Sequence, residues 1–317
     1  MHRILLTGAN GFVGRVLHRR LQDENHQVFG TVASLSSLMT GDQSYTVLDI
    51  CDRANVDAVI ERIKPTHLVH LAAVSSVALS FKDPLLTWNT NVIGTMNLME
   101  SLKKHAPDCF TLFVSSSEVY GETFKTGELL DEDASCAPTN PYAASKLAAE
   151  MAITQYLRQG LKGVVVRPFN HIGPGQSADF VTASFARQIA LIETGQQAPV
   201  MKVGNLEASR DFLSVDDVCD AYVKILATKE GELGHVVYNI SSGSSKRIQT
   251  VLDELLKQTL LPIEVQTDPE RLRPSDTPVA AGSNTRIRQD LSWVPTTPFT
   301  QTIDRILAYW RVQVSGQ

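Results

Sequence analysis

The residue types best suited to chemistry lie mid-chain, in Asn140-Pro141-Tyr142-Ala143-Ala144-Ser145-Lys146. Asn140 suits a helix cap and Pro141 the first helical position, so a helix is predicted to begin here. Tyr142 and Lys146 then stand at i and i+4, on one face. A phenol with an ordinary pKa of about 10 is a poor acid–base catalyst at neutral pH. A neighbouring ammonium favours the phenolate and brings that pKa toward the working range, as general acid–base chemistry requires. Taken alone, such a pair is common on any exposed helix. The preceding stretch sets it apart: an apolar run at 111–114 ends in Ser115-Ser116-Ser117-Glu118-Val119-Tyr120-Gly121. Ser116 is placed there to hydrogen-bond a substrate carbonyl beside Tyr142.

A second constellation opens the chain. The strand-like Arg3-Ile4-Leu5-Leu6-Thr7 runs directly into Gly8-Ala9-Asn10-Gly11-Phe12-Val13-Gly14, followed by a helical pattern. Glycines in this spacing let the chain turn, let the backbone approach a pyrophosphate, and leave the N–H groups of a helix start facing the phosphates. A dinucleotide cofactor is the predicted ligand. An acidic residue at the end of the second strand selects NAD, but Gly30-Thr31-Val32-Ala33-Ser34 contains none. That absence, with Arg15 just past the glycines, tilts the reading from NAD(H) toward NADP(H). Asp49-Ile50 is placed to meet the adenine edge and Leu71-Ala72-Ala73 to run beneath the cofactor, though both also read as ordinary strand ends.

Late in the chain, Gly204-Asn205-Leu206-Glu207-Ala208-Ser209-Arg210-Asp211-Phe212 and Arg271-Leu272-Arg273-Pro274-Ser275-Asp276 supply arginines. Arg210 and Arg273 are candidates for forked, charge-assisted bonds to a diphosphate, and Asp276 for bonds from ribose hydroxyls. Surface salt bridges, Arg210–Asp211 and Arg273–Asp276, explain the same residues without a ligand. No metal-ligand spacing is present. His67 and His70 lie along a predicted buried strand, where packing is the expected role.

These groups need a scaffold. Apolar runs at 4–6, 27–30, 45–48, 67–71, 111–114 and 163–166 alternate with helix candidates at 15–22, 53–63 and 87–104. Continuous apolar strands separated by helices predict a doubly wound α/β fold with a parallel sheet, whose ligands bind outside the strands' carboxyl ends. Residues 1–167 plus about 209–241 form the expected dinucleotide-binding Rossmann domain. Residues 168–208 and 242–317 form a smaller C-terminal substrate-binding lobe. The chain has 317 residues, 43% hydrophobic, with 29 Lys and Arg against 34 Asp and Glu, a net charge of -5. The acidic excess argues against nucleic acid or an anionic membrane as partner. Four scattered cysteines, no signal peptide and no long apolar segment predict a cytoplasmic protein with reduced thiols.

Hydroxyl, Tyr and Lys in this order, behind an N-terminal glycine loop and with Asn91-Val92-Ile93-Gly94-Thr95 between them, resemble the extended short-chain dehydrogenase/reductase family along nearly the whole chain. Its nucleotide-sugar branch, and the enzymes acting on GDP-mannose derivatives in particular, is similar through three stretches: Arg167-Pro168-Phe169-Asn170-His171-Ile172-Gly173-Pro174-Gly175-Gln176 and the two that carry Arg210 and Arg273. The resemblance implies that Tyr142 is the proton donor, that Lys146 also binds the nicotinamide ribose, and that Ser116 orients a carbonyl with Ser117 beside it. It implies further that Asn170 contacts the sugar or diphosphate, that Arg210 and Arg273 hold the phosphates and Asp276 the ribose, and that Phe180, Val181, Thr182 and Arg187 line the pocket. The implied reaction is reduction of the C4 keto group of a GDP-linked 4-dehydro-6-deoxyhexose, GDP-4-dehydro-6-deoxy-D-mannose, to GDP-D-rhamnose. The alternatives are a GDP-mannose 4,6-dehydratase with Glu118 as base, or another nucleotide-sugar epimerase or reductase. A regulator that binds the dinucleotide alone is disfavoured because Tyr142 and Lys146 are both present. A homodimer through the helices at 87–104 and 142–158 is the family's expected assembly.

Overall fold

The computed structural model describes residues 1–34, 45–229, 232–271 and 277–316. In chain order the first half comprises β1 (Arg3–Thr7), α1 (Phe12–Asp23), β2 (Gln27–Val32), β3 (Tyr45–Val47), α2 (Arg53–Ile63), β4 (His67–His70), α3 (Val77–Lys82), α4 (Pro84–Trp88), a π-helical turn (Asn89–Gly94), α5 (Thr95–His105) and β5 (Phe110–Val114). A 3₁₀ segment (Ser117–Thr126), α6 (Pro141–Arg158), β6 (Lys162–Pro168), β7 (Asn170–Ile172), α7 (Val181–Glu193), β8 (Val200–Val203), β9 (Ser209–Arg210), β10 (Phe212–Ser214) and α8 (Val215–Leu226) follow. The chain closes with β11 (Val237–Ile240), β12 (Lys246–Arg247), α9 (Ile248–Leu256), β13 (Glu264–Thr267), β14 (Val279–Ala280), α10 (Thr285–Leu291) and α11 (Phe299–Ser315).

Seven strands form a parallel sheet in the order β11-β6-β5-β4-β1-β2-β3. Successive side chains on a strand point to opposite faces, and both faces here are covered. Ile4, Leu6, Val164 and Val166 pack with Leu17 and Leu21 of α1 and Tyr222 of α8. Leu5 and Val165 pack on the other side with Ile60 of α2, Leu98 of α5 and Ile153 of α6. Burial on both faces is why these strands read as unbroken apolar runs. The smaller lobe has its own core, in which Phe185, Ile189, Met201, Leu252, Ile303 and Leu307 meet. Three small sheets edge it: β7 with β10, β8 with β13, and β12-β9-β14.

Caps set the helix starts. Asp52 accepts from the N–H groups of Ala54 and Asn55 at the head of α2, and Asn140 from Ala143 at the head of α6. The single helix expected over 87–104 is instead α4, a π-helical turn and α5. The wider turn brings the Asn91 side chain inward, where its amide brackets the Val74 backbone and reaches Ser145 on α6. Such insertions recur at functional sites. No helix among the described residues is long and apolar enough to cross a membrane. All four cysteines are free thiols, two buried and two half-buried.

Candidate active site

The Asn140 cap aims the first turn of α6 so that Tyr142 and Lys146 lie on its inner face, only 9% and 4% exposed. Ser116, at the carboxyl end of β5, hydrogen-bonds Tyr142 from the facing segment. Its Oγ also accepts from the Glu118 N–H at 3.2 Å. Glu118 Oε2 accepts from Asn140 Nδ2 at 3.2 Å, so this carboxylate is tied to the same amide that caps α6. Lys146 Nζ lies 4.8 Å from the centre of the Phe113 ring.

The electrostatics differ from the sequence expectation. Burial pushes Tyr142 up to about 12; the Ser116 hydrogen bond opposes this and the Glu118 charge adds to it. Burial likewise brings Lys146 down to about 8, against the pull of Glu150 one turn along. Removing the phenolate from water costs more than its surroundings return, so the expected lowering by a neighbouring ammonium does not occur. The result is a phenol that keeps its proton.

A buried network steadies this side. Arg167 of β6 binds Glu150 of α6 through Nη2 at 2.7 Å and donates to the Tyr120 hydroxyl at 3.1 Å. Tyr120 in turn donates to Asn239 Oδ1 at 2.7 Å. The segment carrying Ser116, Ser117 and Glu118 is thereby tied to α6 and to two strands of the sheet.

The glycine loop forms a cradle that fits a pyrophosphate. A Cβ on Gly14 would sit 2.2 Å from the Gly8 carbonyl oxygen, so only glycine lets α1 start so close to β1. Gly11 caps α1 without a side-chain bond to its first N–H groups. Gly8, Asn10, Gly11, Phe12, Val13 and Gly14 thus surround one helix start, an electropositive site for phosphate. Arg15 makes contacts that the sequence did not suggest. Its guanidinium donates to the carbonyls of Asn10 and Gly175, at 3.0 and 3.1 Å, and so ties the glycine loop to Gly173-Pro174-Gly175. Phe12 stacks on His171 across the same junction, with ring centres 6.0 Å apart. Asp49 is exposed after β3, its carboxylate accepting from the Cys51 N–H. Ile50, by contrast, is a core residue: its side chain is buried and its carbonyl accepts from Asn97. Leu71, Ala72 and Ala73 are half-buried where β4 ends.

The substrate-side candidates lie on elements outside the seven-stranded sheet; Arg210, within the 209–241 stretch expected with the Rossmann domain, stands on β9, which pairs with β12 and β14. Asn170 is exposed at the start of β7, Val181 begins α7 half-buried beside Phe180 and Thr182, and Arg187 is exposed on one side of α7. Arg210 donates to the carbonyls of Ser209 and Thr277 at 2.9 and 2.7 Å. Asp211 turns the other way and accepts from the N–H groups of Ser242 and Gly243, and burial raises its carboxyl to about 6. Arg273 and Asp276 lie outside the described residues. A cavity of about 530 Å³ is lined by Ser184, Arg187, Gln188, Lys202 and Arg271 among others, and by no residue of the Tyr142 side. Lys202 was not singled out from the sequence. The signal was there in β8, where Lys202 is exposed between buried Met201 and Val203.

Comparison with known proteins gives the family. The family model for GDP-mannose 4,6 dehydratase matches residues 5–306. The chain is 35% identical to GDP-6-deoxy-D-mannose reductase of Pseudomonas aeruginosa over 313 residues, covering 98% of each. It is 27% identical to GDP-6-deoxy-D-talose 4-dehydrogenase of Aggregatibacter actinomycetemcomitans over 288 residues, covering 90% of each. The structure of RMD from Pseudomonas aeruginosa complexed with NADPH superposes with a TM-score of 0.86 at 32% identity, over 99% of this chain and 100% of that one. The UDP-glucose 4-epimerase of Thermus thermophilus, in complex with NAD, superposes at 0.84 with 27% identity over 97% and 98%. With its glycine cradle and its buried Ser116–Tyr142–Lys146 cluster, the chain belongs to the GDP-mannose 4,6-dehydratase family of extended short-chain dehydrogenases/reductases, which are NAD(P)-dependent enzymes.

Proposed function

We propose that the protein reduces the C4 keto group of GDP-4-dehydro-6-deoxy-D-mannose to give GDP-D-rhamnose. The observation that carries this reading is the buried Tyr142 at the head of α6, with Lys146 one turn on and Ser116 facing it from the end of β5. The similarity to the Pseudomonas aeruginosa reductase supports the choice of sugar nucleotide. A bound, reduced nicotinamide would supply the hydride to C4. Tyr142 Oη holds the proton that the former keto oxygen takes up. Ser116, Ser117 and the Lys146 ammonium stabilise the charge that develops on that oxygen, in a site from which burial excludes water. Lys146 also binds the ribose of the cofactor. Gly8 to Gly14 hold its pyrophosphate, Asp49 its adenine end, and Ala72 and Ala73 its underside.

On the substrate side, Asn170 meets the sugar, Arg210 and Arg273 the diphosphate, and Asp276 the ribose. Arg187 contributes to the nucleotide pocket, where its charge and those of Lys202 and Arg271 outnumber the Asp179 carboxylate and suit an anionic ligand, and Val181 stands at the head of the same helix. The preferred cofactor is NADP(H). No acid stands at 30–34 to bind a free 2′-hydroxyl, and the similar Pseudomonas aeruginosa structure holds NADPH. A homodimer is supported by the apolar residues left on α3, α4, the π-helical turn and α6. Phe81 is 62% exposed, Leu85 82% and Met151 66%, with Trp88 and Ile93 beside them, a grouping that marks an interaction surface. The cytoplasm is the proposed location.

The test is loss of reduced-nicotinamide absorbance when purified protein meets GDP-4-dehydro-6-deoxy-D-mannose and NADPH. Stoichiometric loss with a GDP-deoxyhexose product supports the reading, and NMR of that product distinguishes rhamnose from 6-deoxytalose. A second reading, the dehydratase, rests on Glu118, whose carboxylate lies near enough to Tyr142 to act on it. A keto-sugar formed from GDP-mannose with catalytic NADP, and no oxidation of NADPH in the first assay, would replace the reductase by that lyase.

A further inference from the structure

Between the glycine loop and α6 runs a buried chain of hydrogen bonds that the chemistry above does not use. The Ala72 N–H donates to Thr7 Oγ1 at 3.2 Å, and Thr7 Oγ1 lies 2.8 Å from His70 Nδ1. His70 Nε2 lies 3.0 Å from Thr95 Oγ1, which donates to the Asn91 carbonyl at 2.6 Å. Thr7, His70 and Thr95 are all buried. The last bond assigns the rest. A hydroxyl has one proton, and Thr95 spends it on Asn91, so towards His70 it can only accept. His70 therefore carries its hydrogen on Nε2. Nδ1 is then an acceptor, Thr7 donates to it, and the Thr7 oxygen is left to accept from Ala72.

The chain continues past Asn91. Its Oδ1 accepts from the Val74 N–H at 2.8 Å, and its Nδ2 donates to the Val74 carbonyl at 3.1 Å and to Ser145 Oγ at 2.9 Å. Ser145 donates to the Tyr142 carbonyl at 2.7 Å. One end thus begins beside Gly8, where a Cβ would lie 2.9 Å from the Ala72 nitrogen, and the other ends on the backbone of Tyr142. On the way it holds the segment 71–74 at Ala72 and at Val74. Burial, with the Lys146 charge nearby, holds the imidazole down to about 3, so the ring stays neutral. A doubly protonated ring would also present a donor at each end and could not accept from Thr7.

We propose that His70 is a positioning residue: as a neutral Nε2–H imidazole between Thr7 and Thr95, it fixes the segment 71–74 and the start of α6 relative to the glycine loop. This rests on the reductase reading for its kinetic consequence, not for its geometry. The hydride donor and the Tyr142 proton must converge on one carbonyl, and a misplacement of about 1 Å costs on the order of 100-fold in rate. Histidine suits the role because one rigid ring offers an acceptor and a donor to groups on either side of β4.

Replacing His70 itself risks misfolding, so the threonines carry the test, in the full chain. For Thr7→Val and Thr95→Val we expect kcat with NADPH and the keto sugar to fall about 10- to 100-fold while KM stays within about threefold. Thr7→Ser and Thr95→Ser should restore most of the rate. The double valine variant should lose little more than the worse single one, since both break one chain. Imidazole ¹⁵N NMR of the wild-type protein should show His70 as the Nε2–H tautomer throughout about pH 6 to 8. Valine variants with kcat within about twofold of wild type, losses seen equally in the serine variants, or an Nδ1–H ring would overturn the proposal. If the wild-type protein reduces no keto sugar, the functional reading fails separately. The tautomer and the Tyr142 ring ¹³C shift then decide on the chain: movement in the valine but not the serine variants supports it, and no movement refutes it.

Discussion

Around Tyr142 the candidate groups are buried and held by other side chains, whereas on the proposed substrate side Arg187 and Lys202 stand exposed on a cavity wall and Arg210 is half-buried apart from it. Tyr142 and Lys146 are fixed through Ser116, Asn140 and the Arg167–Glu150 pair. Arg210 rests on two backbone carbonyls, and Arg187 and Lys202 face solvent. On the function proposed above, the contrast follows from what each side would do. Proton transfer depends on distance, which the buried hydrogen bonds around α6 fix. Holding a diphosphate needs charge and reach, and exposure lets the ligand leave.

The sharpest way to break this contrast is Tyr142→Phe. Loss of the proton donor should lower kcat about 10²- to 10⁴-fold while the NADPH Kd measured by fluorescence titration stays unchanged. Turnover near the wild-type level would remove the catalytic side altogether. Gly14→Ala should come next. The added methyl would collide with the Gly8 carbonyl oxygen, so dinucleotide affinity should fall at least tenfold, an expectation of about 1.4 kcal/mol or more. Undiminished NADPH binding in that variant would show the cradle to be misassigned.

On the proposed substrate side, Arg210→Ala and Arg273→Ala should act mainly on KM, by about 1.5–3 kcal/mol for a lost charged hydrogen bond, with kcat little changed. A variant that lost kcat instead would erase the division of labour between the two sides. The smallest effect is one of pH. Lys146 is charged below about 8 and loses its proton above it, so kcat/KM should fall as pH rises through that value. Lys146→Arg keeps the charge and should abolish that alkaline limb even if the rate is lower. An alkaline limb that survives in the arginine variant would belong to another group.

Much of the Tyr142 side was legible in the sequence because its signals are local. Asn140, Pro141 and the four-residue spacing of Tyr142 and Lys146 specify a helix face before any fold is known. The second lobe was less legible. Arg273 and Asp276 lie outside the described residues, and Lys202 enters the cavity only because β8 pairs with β13 and packs beside α7. The alternative Arg210–Asp211 bridge fails as a reading of Asp211 for a similar reason. The carboxylate goes to Ser242 and Gly243, more than thirty residues away. The π-helical turn within 87–104 answers to Val74 and Ser145, neither of which is near it in the chain.

By itself the order of residue types determined the parallel α/β sheet, the glycine loop at the first strand's end, and the pairing of Tyr142 with Lys146. Each depends on contacts within a few residues, or on strands apolar enough to be buried on both faces. Only the tertiary structure decided the strand order, the commitment of Arg15 to two loop carbonyls, the core position of Ile50 and the rise in the Tyr142 pKa. The reason is physical: a pKa or a hydrogen-bond partner is set by what surrounds a group after folding, and here those surroundings come from distant parts of the chain.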